Sequence, residues 1–225
     1  MIMANSPALL TTAADALASA VTQKGDWPAD LAESAPRWAD LMKQLGEIAR
    51  WVTQGAVVVR DDAAQLPPNQ GRPLAAKAAE LIGALEATTS GRPEVDHRWR
   101  AMAATFTRAE VPGTGHGRPT LVAGVVHEAA QAVRKAANQR LAAGDTVAVL
   151  HAASTVCEAM CGLVGRIAVA VEQRDTDYPA LAGISRSLQR GIHNAYRDAG
   201  EQFTAAALAC EQIMTRWPGR WPDSV

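Results

Sequence analysis

A chain of 225 residues with a formal net charge of −1 is long enough to bury a substantial core. Its charges balance on both sides of the middle, 12 Lys/Arg against 13 Asp/Glu up to residue 119 and 10 against 10 after it. A nucleic-acid binder needs a basic surface to neutralise phosphates, so that class is set aside, and nothing calls for an anionic membrane.

Hydrophobic residues make up 48 % of the chain but aromatics only 4 %, with alanine prominent among the rest. That balance favours close-packed helices over sheets of β-branched and aromatic residues. The expected fold is all-α, an antiparallel bundle of about six to seven helices, several of them long. Three cysteines are an odd number and do not make a disulfide framework, which points to a reducing cytoplasm.

The N-terminal stretch MIMANSPALLTTAADALASAV lacks the basic start of a secretory signal, and Asp15 breaks its apolar run, so it reads as a first helix over 7–24. The second helix, 36–65, opens after Ser34. It carries Trp38, Leu41, Leu45, Ile48, Val52, Gly55, Val59, Ala63 and Leu66 at alternating spacings of three and four, the seam of a heptad. It should pack lengthwise against a neighbour.

Helices over 73–89 and 93–109 are punctuated by the tripeptide GRP, at Gly71 to Pro73 and Gly91 to Pro93, with a third copy at Gly117 to Pro119. Glycine suits a helix end, and proline suits a first turn, where its missing N–H leaves no bond unmade. Glu94 and His97 form a single Glu-x-x-His pair. A carboxylate di-metal centre needs two such pairs and two further glutamates, so Glu94 reads as an acid favoured at a helix start.

The stretch EVPGTGHGRP, from Glu110 to Pro119, is the expected boundary between an N-terminal half, 1–109, and a C-terminal half, 120–217, the whole also being compatible with one continuous domain. Its GTGHG lacks both the preceding strand of a dinucleotide fingerprint and the Gly-Lys-Ser/Thr ending of a phosphate loop.

The fifth helix, 120–143, sets His127, Gln131, Arg134 and Asn138 along one face. The sixth, 146–173, is the most apolar, yet His151, Glu158 and Arg166 interrupt it well before about 18 uninterrupted apolar residues accumulate, which excludes a membrane span. Cys157 and Cys161 lie on the edge of its stripe of Val149, Val156, Met160, Ile167 and Val171 and read as small core residues. No second Cys/His pair completes a zinc site, so no metal and no cofactor are expected.

The last helix, 179–217, carries a 3.6-residue stripe: Leu181, Ile184, Leu188, Ile192, Ala195, Ala199, Phe203, Ala206, Cys210, Ile213 and Trp217. Another face bears Arg186, Arg190, His193 and Arg197. Converging with His127 and Arg134 of the fifth helix, these would form an anion site, arginine supplying bidentate geometry. The tail, 218–225, follows Arg216 and Trp217 with Arg220 and Trp221, a Trp/Arg pair suited to gripping a protein partner or to folding back over the bundle end.

The segments VVHEAAQAVRKA and GIHNAYRDAG resemble the histidine- and arginine-bearing helices of CHAD domains, which are helical and bind polyphosphate. Ala130 stands where that family would place an arginine, and the chain lacks its basic charge, so no function is carried over. No ordered catalytic triad or nucleophile elbow is present. The sequence therefore supports a cytoplasmic, non-enzymatic protein acting through contacts with a protein partner or with itself, as homo-oligomer, scaffold or adaptor. The alternative is a small-molecule or anion-binding protein, or an enzyme, with its pocket between the fifth and seventh helices.

Overall fold

The computed structural model describes residues 5–22, 27–90, 92–108, 121–139, 143–173 and 182–217. Among these there is no strand: the chain forms α1 (Ser6–Val21), α2 (Trp27–Ala63), α3 (Pro68–Ser90), α4 (Arg92–Arg108), α5 (Leu121–Ala137), α6 (Thr146–Glu172), α7 (Ala182–Ser187) and α8 (Asn194–Arg216). A 3₁₀ turn, Ala143–Asp145, leads into α6, and a π-helical turn, Leu188–His193, joins α7 to α8. The all-α bundle expected from composition is what the chain forms.

Two helices begin earlier than their proline signals suggest. Pro36 lies inside α2, and Ser34 accepts the indole N–H of Trp38 at 3.2 Å instead of capping the helix. Pro73 lies inside α3, which opens at Pro68. Gly71 is packed so closely against the carbonyl of Ala63, at the end of α2, that a Cβ there would collide with it. The first GRP thus serves a close crossing of two helix ends, a use of glycine that sequence punctuation alone does not distinguish from a stop.

Packing arranges six long helices in two rows of three. One row runs α3, α2, α5 and the other α8, α6, α1; α3 packs on α8, α1 on α5, and the two middle helices, α2 and α6, touch directly. The middle position of α6 explains its composition. Leu150, Ala153, Val156, Cys157, Met160, Leu163, Val164, Ile167 and Ala168 are all buried, covering most of its circumference, because neighbours stand on several sides. By length and hydropathy α6 alone among the described helices could cross a bilayer, and more than half of its most apolar window lies inside the bundle.

The heptad seam of α2 is buried from Trp38 to Ala63, with Leu66 half-buried beyond the helix end. One continuous core takes Leu10 and Leu45 from before the 110–119 stretch and Val126, Val156 and Phe203 from after it. The stretch itself, like the tail 218–225, lies outside the described residues.

The helix α4 packs on α2 and brings Trp99 into the centre. Trp99 stacks on Trp38 with ring centroids 5.2 Å apart, Tyr196 of α8 stacks on Trp38 at 6.0 Å, and the Trp99 indole donates to the Tyr196 hydroxyl at 2.7 Å. All three rings are fully buried. Burial pushes the Tyr196 phenol well above its ordinary range, only partly opposed by the hydrogen bond from Trp99. The cluster lies just past the π turn, which hydrogen-bonds from i to i+5 and so fits more residues into each turn; Leu188, Ile192 and Tyr196, spaced by four and four, share the buried face. Ala195, the position a uniform α-helix would bury, is only half-buried.

Candidate functional site

The helices α6 and α8 run antiparallel and close together: Ser154 donates to the carbonyl of Gly200 at 2.9 Å and shares a hydrogen bond with Thr204 at 2.8 Å, while toward the C-terminal end of α6 Ser185 of α7 donates to the carbonyl of Ala168 at 3.2 Å. Gly200 allows the approach; a Cβ there would sit 3.3 Å from that of Cys157. On their outer side the two helices diverge into an open cleft of about 570 Å³ lined by Glu158, Cys161, Gly162, His193, Arg197, Glu201 and Thr204. The lining mixes charges: Glu158 comes from α6, His193 from the π turn, and Arg197 and Glu201 from one face of α8.

Arg197 is the cleft's permanent cation. It contacts Asp198 at 3.2 Å and Glu201 at 3.8 Å, and is about half exposed, so these pairs are weak and screened by solvent. The thiol of Cys161 donates to the main-chain carbonyl of His193 at 3.6 Å, not to its imidazole. Burial raises its pKa, and Asp198 and Glu158 add to that against the opposing pull of Arg197, so the thiol stays protonated near neutrality. Cys157 and Cys210 are buried and free; burial pushes the first thiol far up and the second up to about 12. These are core residues, as their place beside the apolar stripes suggested.

The remaining sequence-derived candidates fall elsewhere. His127 and Arg134 lie on α5, at the corner of the bundle diagonally across from α8, so the fifth and last helices share no wall and the expected convergence does not form. On α5, His127 pairs with Gln131 at 2.8 Å, and Arg134 reaches across to Asp40 of α2 at 2.6 Å, which makes it a surface tie between helices. Arg186 and Arg190 are exposed on α7 and the π turn, on the same stretch as His193 and Arg197. Arg216 is exposed, and Trp217 packs against the core with its indole N–H buried and without a partner among the described residues. Arg220 and Trp221 lie outside the described residues.

Glu94 forms an ion pair with Arg98 at 2.8 Å, while His97 borders a smaller hollow of about 380 Å³ with Thr89, Pro93, Asp96 and Arg100. No group of three or more His, Cys, Asp or Glu side chains among the described residues is placed to hold a metal ion. Gly162 and Thr204 escaped notice in the sequence because their significance depends on which helix stands beside α6. The chain matches no protein-family model, no curated protein and no solved structure.

Proposed function

We propose that this is a non-enzymatic helical protein that works by holding another molecule, and that the cleft between α6, the π turn and α8 is its seat. The observation that carries this reading is the state of the cleft's only thiol. Cys161 is surrounded by chemistry-bearing side chains, yet it is held protonated and its hydrogen bond goes to a carbonyl, whereas a nucleophile is activated by a base or a lowered pKa. The remaining groups, two carboxylates, an imidazole, a guanidinium and a hydroxyl, are those of a recognition surface. A partner protein or a second copy of the chain is the natural occupant for a cytoplasmic adaptor or scaffold of this build. Of the six residues of the anion-binding alternative, only His193 and Arg197 line this cleft.

Native mass spectrometry of the protein purified from its expression host tests this. Wild-type protein is expected to carry a bound mass or to form an oligomer of fixed stoichiometry, and Gly162→Trp, which fills the cleft from the exposed side of α6, is expected to lose it. An unliganded monomer for both proteins, or an adduct indifferent to the substitution, would overturn the assignment of the seat.

A further inference from the structure

The face of the bundle opposite the cleft carries a helical stripe that no described element covers. The helix α2 has α3, α5 and α6 around it, and α4 packs on its first half, where Trp99 meets Trp38. Beyond that point Lys43, Arg50, Gln54 and Asp61 are exposed and Glu47 and Val57 half-buried, at alternating spacings of four and three, the outward counterpart of the buried seam. Beside the stripe stand the half-buried Val58 and Trp51, which is 43 % exposed and is the largest exposed apolar side chain among the described residues. A lone exposed aliphatic residue is ordinary on a protein surface, but tryptophan and arginine are the side chains that dominate protein interfaces, and Trp51 stands next to Arg50.

Two copies of this stripe complement each other in an antiparallel register. With a two-fold axis level with Val52, Lys43 of each copy lies opposite Asp61 of the other, and Gly46 lies opposite Val58, so that a branched side chain meets a residue that has none. The same axis brings the two Trp51 rings together, two residues or about 3 Å apart along the helices. Lys43 has no ion pair among the described residues, and Asp61 has only its exposed neighbour Arg60, at 3.0 Å, so both charges are open to a partner. We infer that the chain forms a two-fold symmetric dimer through the outer face of α2, the partner being a second copy of itself. A two-fold contact must be self-complementary, and the mirrored placement of Lys43 and Asp61 about Val52 supplies that while fixing the register. The two clefts then open on the far sides of the dimer, one on each copy, and neither is used by the self-contact.

Sedimentation velocity of the full chain, from low micromolar to near-millimolar concentration, tests this. Wild type should show a concentration-dependent equilibrium between monomer and dimer. Trp51→Asp, Lys43→Glu and Asp61→Lys should each weaken the dimer by about tenfold or more, since every substitution acts twice in a two-fold interface. Lys43→Glu combined with Asp61→Lys restores opposite charges across both contacts and should recover the wild-type dimer, a rescue that damage to the fold would not show. A monomer at every concentration, a dimer indifferent to Trp51→Asp, or two charge reversals that do not rescue each other would overturn the assignment. Gly162→Trp lies on the opposite face and should leave the dimer intact. A dimer lost in that variant would place the self-contact in the cleft and refute the α2 interface, whereas a bound mass lost from a dimer that persists supports both assignments.

Discussion

Replacing Tyr196 by Phe removes one oxygen from the centre of the bundle and leaves the stacking geometry in place. The Trp99 indole N–H, 2.7 Å from that oxygen, then has no acceptor, and both rings are fully buried, so water cannot substitute. An orphaned buried donor costs about 1–3 kcal/mol. For a chain of this length each kcal/mol lowers Tm by about 2–4 °C, so the fall should be roughly 2–12 °C. The assay is urea and thermal unfolding of four proteins: wild type, Tyr196→Phe, Trp99→Phe and the double variant. In the Trp99→Phe background no donor remains to be orphaned, and Tyr196→Phe should then cost under about 0.5 kcal/mol, giving a coupling of about 1 kcal/mol or more. If Tyr196→Phe costs the same in both backgrounds, the hydrogen bond does not contribute as argued and the cluster is held by area alone.

Two further outcomes follow from the same packing. A Cβ on Gly191 would lie 2.8 Å from the Cδ of Arg98, the far end of a flexible, partly exposed arm; Gly191→Ala should therefore destabilise modestly, by about 1 kcal/mol or less, and Arg98→Ala should relieve that penalty, an unrelieved loss in thermal melts arguing against the contact. The Cys210 thiol, ordinarily ionising at 9.0, is held at about 12, so the unfolded chain gives up its proton first. Its contribution to stability is complete below about pH 9 and is lost as pH rises toward 12, at up to about 1.4 kcal/mol per pH unit. Cys157 and Tyr196, also raised by burial, act in the same direction. Urea melts between pH 8 and 10.5 should show a shallower decline for Cys210→Ala than for wild type, and equal slopes would refute the assignment.

The seam of α2 was legible because every third or fourth residue from Trp38 to Ala63 meets a neighbour, and burial of that kind leaves a local, periodic trace. The stripe of the last helix was legible for the same reason except at the π turn, where the reading chose Ala195 over Tyr196 because it assumed a constant 3.6-residue period. The pairing of His127 and Arg134 with the arginines of α7 and α8 failed for a different reason. A polar face records only that it meets solvent, not which helix stands next to it, and α5 turned out to belong to the opposite corner. The resemblance of two segments to CHAD helices meets the same obstacle, since those segments, too, lie on opposite corners. Gly162 was equally silent, since an exposed glycine in a helix has no sequence mark that separates a weak point from an opening.

The π turn is, in effect, a tolerated insertion. Before it Ile184 faces the core, and after it Phe203, Ala206, Cys210 and Ile213 do so in ordinary α phase, so the surplus backbone is confined to six residues and the helix on either side keeps its register. Shortening that turn by one residue would let it revert to uniform α-helix without displacing the core contacts beyond it, while moving His193, the one residue of the turn that lines the cleft. The length of this one turn is thus a setting that can be changed independently of the bundle.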